Sequence, residues 1–147
     1  MASRHILFFD DEPSTTKMLI ENLQKNYGWD KDGYGEITFV STPKELFDEA
    51  NSLIKYDLFL LDIMVPIEEI EKMNLFSKEE VDQMQQGDNT GVVLADKLRS
   101  IPKYNDVPFL FLSARIQSSK TMQNTSYLEK PPFASDVSDE MKKLLNI

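Results

Sequence analysis

The sequence predicts a doubly wound α/β domain: five parallel strands in the order 2-1-3-4-5, with helices on both faces. Three features point that way. Five short apolar runs recur along the chain, and segments of helical character separate them. The runs are apolar at consecutive positions, so both of their faces need cover, as in a parallel sheet. Right-handed crossovers then distribute the helices over the two sides.

The elements follow in order. Arg4–Phe9 is the first strand. Pro13–Asn26 is a helix, with Met18, Leu19 and Leu23 at helical spacing and proline in its first turn. YGWDKDGYGE is a turn-rich loop, and Glu36–Val40 is the second strand. Thr42-Pro43-Lys44-Glu45 is a capping box that starts a helix through Leu53. DLFLLD, ending at Asp62, is the third strand, and Val107–Leu112 the fourth. Tyr127–Glu129 is a short fifth strand before Lys130-Pro131-Pro132, and the last helix runs from Ser135 to Leu145.

One segment breaks the rhythm. Residues 63–90 separate Asp62 from the next convincing helix, Val92–Arg99. Strand-to-helix loops usually run ~2–6 residues, so residues 66–90 read as an insertion within a single domain spanning 1–147. It has helix signals of its own. Ile67, Ile70 and Met73 keep a helical period, and Ser77-Lys78-Glu79-Glu80 is a second capping box. From Pro66 to Asn89 there are seven acidic and two basic residues, so the segment carries −5 of the chain's −9. Its apolar Ile67, Ile70, Leu75 and Phe76 need something to bury against, which suggests a partner-binding or lid element.

Composition excludes several classes of function. There is no cysteine, which removes disulfides, thiolate catalysis and cysteine-bound zinc. A single histidine, His5, rules out a multi-histidine metal site. With 25 acidic against 16 basic residues, the surface repels phosphate backbones, so no nucleic-acid binding is expected of this domain alone. No apolar stretch approaches a membrane span, and the first residues lack the apolar core of a signal peptide. A soluble, cytoplasmic protein without membrane contact is the expectation.

The strand ends carry the chemistry. The first strand ends in Asp10-Asp11, the third in Asp62, the fourth in Ser113 and the fifth in Lys130. In an open α/β sheet, ligands bind beyond the carboxyl ends of the strands at the point where strand order reverses. The predicted order puts that point between strands one and three, which gathers these residues into one pocket. Three carboxylates in a small volume need either a raised pKa or a cation. Oxygen ligands with open positions suit Mg²⁺. Lys130 adds a positive charge for the same anion and Ser113 a hydroxyl donor, so the cluster is a phosphoryl-handling site. Taken singly, Asp10-Asp11 could merely favour the positive end of a helix, and Ser113 could merely form a turn.

At these positions the sequence resembles the CheY-like receiver domains of two-component response regulators. LFFDDE resembles the family's acidic pair, and LFLLDIMVP its phosphoacceptor segment with the Met-x-Pro turn. FLFLSA resembles the switch Ser-Ala, and YLEKPPF the Lys-Pro turn. The resemblance implies a flavodoxin-like fold and a phosphoryl group accepted on Asp62 from the phosphohistidine of a sensor histidine kinase or phosphotransfer protein. It implies Mg²⁺ held by Asp10, Asp11, Asp62 and the Met64 carbonyl, with Ser113 and Lys130 on the phosphoryl oxygens. Tyr127 falls at the switch-aromatic position. Met64 and Arg115 occupy the two variable places that tune dephosphorylation.

Two departures from the family stand out. The connection after Asp62 is longer than usual, and the segment from Ser113 to Lys130 (RIQSSKTMQNTS at its centre) is shorter. They motivate an alternative, a pseudo-receiver that acts as a phosphorylation-independent interaction module. A phosphohydrolase working through an aspartyl phosphate ranks last, because the place of its general acid, two residues after Asp62, is taken by Met64. Any chemistry of the chain itself is then limited to self-phosphorylation from phosphodonors and slow autodephosphorylation.

Overall fold

Each apolar run becomes a strand, and burial of both faces fixes the register. A computed structural model describes residues 4–62, 67–85, 90–113 and 124–147. In it, β1 (His5–Phe9), β2 (Glu36–Val40), β3 (Leu58–Asp62), β4 (Phe109–Ser113) and β5 (Thr125–Glu129) pair in parallel in the order β2-β1-β3-β4-β5. The expected doubly wound α/β fold is the one observed.

Alternation along each strand divides the core into two layers. Leu7, Phe9, Phe59, Leu61, Phe109 and Phe111 face one side of the sheet. There they meet α2 (Pro43–Ala50) and α5 (Thr90–Arg99) through Leu46, Phe47, Leu94 and Leu98. Ile6, Phe8, Leu58, Leu60, Leu110 and Leu112 face the other side. They are covered by Ile20 and Leu23 of α1 (Pro13–Asn26) and by Val137 and Met141 of α6 (Ala134–Leu145).

The helix signals are realised with small differences. Thr42 caps α2, its hydroxyl accepting from the Glu45 N–H at 3.2 Å. The helix stops at Ala50, short of Leu53. Asn51 and Ser52 turn their side chains back onto the carbonyls of Phe47 and Glu49, at 2.9 and 2.7 Å, and end the winding there. In α1, Ile20 and Leu23 are buried whereas Met18 is 72% exposed, so the apolar stripe is rotated from the expected one. After α1, Gly28 takes φ +77°, a left-handed conformation that glycine adopts without steric cost. Trp29 follows, fully buried, with its indole N–H donating to Ser138 of α6 at 2.9 Å.

Two short helices lie between β3 and α5: α3 (Ile67–Glu71) and α4 (Lys78–Gln85). Ser77 and Glu80 form a reciprocal capping box at the start of α4, with bonds of 2.9 and 3.1 Å. Most of the apolar side chains described here find partners inside the chain, and that of Ile67 lies outside the described residues. Ile70 and Met84 are buried in the layer beneath α2 and α5. Phe76 packs edge-on against Phe47 of α2 at 5.9 Å, and Lys97 of α5 lies over its ring at 5.6 Å. Lys97 also pairs with Glu80 at 3.7 Å. Leu75 remains 45% exposed. Among the described residues, no helix is long and apolar enough to cross a membrane.

Candidate functional site

The sheet aligns its carboxyl ends. Phe9 of β1 pairs with Leu61 of β3, so Asp10 and Asp62 leave adjacent strands at the same level. Asp62 pairs with Leu112, and Ser113 with Glu129, after which the chain reaches Lys130. The backbone therefore delivers Asp10, Asp62, Ser113 and Lys130 to one edge in strand order.

Asp10 is the best-defined group at that edge. Its side chain is 3% exposed, and its backbone N–H continues the pairing with β2 by donating to the Val40 carbonyl at 3.3 Å. Oδ1 accepts the Glu12 N–H at 2.9 Å, an Asx-type turn that steers the chain into α1. Oδ2 accepts the Thr16 hydroxyl at 2.8 Å and lies 3.1 Å from the Lys130 ammonium. A carboxylate this deep is tolerable only with such compensation. Lys130 comes from the turn after β5, where the Lys130-Pro131 bond is cis.

Asp10, Thr16, Leu19, Leu112, Lys130 and Pro131 line an open cleft of about 300 Å³. A larger cavity of about 530 Å³ lies between α2 and residues 72–75, lined by Pro43, Phe47 and Met73. Despite its size we place the chemistry at the smaller cleft, because the buried carboxylate and its ammonium partner are there. Asp11 is half-exposed beside it.

The side chains of Asp62 and Ser113 lie outside the described residues, as do Met64, Arg115 and the whole of 114–123. Among the described residues no three acidic side chains converge. Asp10 nevertheless fits a hard cation: it is a buried carboxylate with three donors on about four lone-pair positions, opening onto a cleft.

Tyr127 is half-buried on β5 and stacks on Phe111 at 5.2 Å. Phe111 in turn stacks on Phe109, and Phe109 on Phe59, so an aromatic ladder runs across three strands. Burial raises the Tyr127 phenol pKa, partly opposed by the Arg99 guanidinium. Arg99 lies over the Phe109 ring at 4.6 Å and donates to the Val107 carbonyl at 3.1 Å.

Thr16 was missed in the sequence. It occupies the same helical stripe as Ile20 and Leu23, and a hydroxyl on that stripe was the available signal.

No protein-family model and no curated protein matches the chain. Solved structures do. The chemotaxis protein CheY4 of Vibrio cholerae superposes with a TM-score of 0.70 at 19% identity, over 98% of this chain and 100% of that one. A CheY-like receiver domain protein from Methanospirillum hungatei gives 0.67 at 16% identity, over 99% and 95%. The receiver domain of a Pseudomonas aeruginosa sensor histidine kinase, solved with magnesium coordinated in its active site cleft, gives 0.68 at 16%, over 99% and 100%. The fold of this chain is thus that of CheY-like response regulator receiver domains over nearly its whole length.

Proposed function

We propose that this protein is a phosphorylation-dependent signalling switch: a single receiver domain that accepts a phosphoryl group on Asp62 from a phosphohistidine donor. The observation that carries this reading is the pairing of Lys130 with buried Asp10 at the sheet edge where β3 and β4 end in Asp62 and Ser113. A structural salt bridge alone has no need of two further polar strand ends beside it.

In this reading the phosphorus–nitrogen bond of the donor breaks as a bond forms between phosphorus and a carboxylate oxygen of Asp62. The imidazole leaves with the electron pair of the broken bond. Asp10, Asp11, Asp62 and the Met64 carbonyl would hold Mg²⁺, which offsets the charge of the phosphoryl oxygens when bound. Lys130 exchanges its contact with Asp10 for one phosphoryl oxygen, and the Ser113 hydroxyl donates to another. Two charge-assisted hydrogen bonds at ~1.5–3 kcal/mol each approach the ~5.5 kcal/mol that takes a two-state equilibrium from 1:99 to 99:1. Tyr127, stacked on Phe111, is the aromatic placed to respond. Met64 and Arg115 control the approach of water to the acyl phosphate.

The donor is a sensor histidine kinase or a phosphotransfer protein. Met18 and Phe133, 72% and 75% exposed, each neighbour a residue lining the cleft and offer it apolar contacts. A downstream partner would meet the acidic outer face of residues 66–90, since most of the apolar residues described there are already covered.

Acetyl phosphate with Mg²⁺ tests the assignment. One phosphoryl mass should appear on the wild type and none on Asp62→Ala. Equal labelling of both would refute Asp62 as acceptor, and no labelling of either would favour the constitutive interaction module.

A further inference from the structure

We propose that Thr16 is a positioning residue for Asp10: its hydroxyl holds the carboxylate in the orientation that receives a divalent cation. This rests on the function proposed above and assigns a new residue to that site. Thr16 sits early in α1, 4% exposed, and its hydroxyl donates to Asp10 Oδ2 at 2.8 Å. A threonine inside a helix ordinarily donates to a backbone carbonyl one turn back. Here the bond goes instead to a side-chain carboxylate six residues earlier in the chain.

The helix itself has no use for that hydroxyl. Threonine is a weaker helix former than an aliphatic straight chain, and the stripe it shares with Ile20 and Leu23 is otherwise apolar. The three donors on Asp10 also differ in kind. The Glu12 N–H is backbone and fixes Oδ1 only. The Lys130 ammonium lies on a flexible stem and is the one an arriving cation displaces. When it leaves, Thr16 is the side chain that keeps Oδ2 in place. Without it the carboxylate is held by the Glu12 N–H alone and turns more easily about its last torsion, so that a cation must order it.

Removing a hydrogen-bond partner of a metal-binding carboxylate typically costs about 10–100-fold in metal affinity. With one of three donors lost, we expect the low end, about tenfold.

The test is a Mg²⁺ titration followed by backbone amide shifts, on wild type, Thr16→Val, Thr16→Ala and Thr16→Ser, without phosphodonor. Thermal unfolding in chelator is recorded alongside. Valine and alanine should each weaken Mg²⁺ binding about tenfold, and serine, which keeps the hydroxyl, should restore it to within about twofold. Alanine carries the comparison if valine does not fold. The proposal is overturned if valine and alanine bind as wild type does, or if serine is as weak as valine, since the methyl packing would then be what counts. It is equally overturned if affinity falls only in step with stability. A wild type with no saturable Mg²⁺ binding defeats the proposed function itself, a result distinct from normal wild-type binding with unaffected variants.

Discussion

Replacing Lys130 with alanine should destabilise the metal-free protein by about 2 kcal/mol. The ammonium lies 3.1 Å from an Asp10 carboxylate that is 3% exposed. At an effective dielectric constant of about 20, the direct attraction at that distance is about 5 kcal/mol. Desolvation of both ions returns part of this, and deleting one partner of a fully buried pair usually costs about 3–5 kcal/mol. Lys130 keeps 28% of its side chain in solvent, and Asp10 retains the Thr16 and Glu12 donors, so the cost falls below that range, to about 2 kcal/mol. For a domain of this size it corresponds to a fall in Tm of roughly 4–8 °C. Thermal and urea unfolding by circular dichroism, in EDTA and again in Mg²⁺, is the assay. Mg²⁺ should narrow the gap, because in the variant it no longer competes with the ammonium for Asp10 and so adds more stability than in wild type, about 2.7 kcal/mol at a hundred times its Kd. If Lys130→Ala is as stable as wild type in EDTA, the pair has no net worth and the compensation argument for Asp10 fails.

Three further outcomes are expected. Phe76→Ala should cost about 2 kcal/mol, half the ~3–5 kcal/mol of a core phenylalanine, because the ring is half-buried against Phe47 and Lys97. Hydrogen exchange should then quicken across α3 and α4 first, and uniformly fast exchange there in the wild type would contradict the docking. Burial, together with the hydrogen bond to Glu49 at 2.8 Å, pushes the Tyr56 phenol up to about 12. Its folded pKa exceeds the unfolded ~10, so this contribution is complete below about 10 and is lost as pH rises toward 12. Tyr56→Phe should remove that slope and one late phenol from the ultraviolet titration. Met64→Glu, placing a water-orienting carboxylate two residues after the acceptor, should speed dephosphorylation about tenfold, or 1.4 kcal/mol of barrier. An unchanged rate would move water control to residues 66–90.

The strands β1, β3 and β4 were legible because their cause is local: each is a run too apolar to leave either face in water. The capping boxes at Thr42 and Ser77 were legible for the same reason, since donor and acceptor are three residues apart. Partners distant in the chain were not. Phe76 announced an apolar side chain to bury, yet nothing in that segment names Phe47 or Lys97 as what it meets. The stripe on α1 was misjudged because Met18 satisfies helical spacing as well as Ile20 does, and only the direction of the sheet chooses between them. The candidate site divides likewise. Strand ends gave Asp10 and Lys130, whereas Thr16 acts through the depth of a helix that sequence spacing does not measure.

The buried indole of Trp29 has a spectroscopic consequence. It is the chain's single tryptophan, fully buried in the layer under α1 and α6 and clamped to α6 through Ser138. Its emission therefore reports on the seam between the loop after α1 and the C-terminal helix. Occupation of the cleft alone should leave that emission unchanged. A red shift on phosphorylation would mean that the signal has spread from the cleft and loosened α6, so the molecule carries an intrinsic probe that separates local binding from transmitted change.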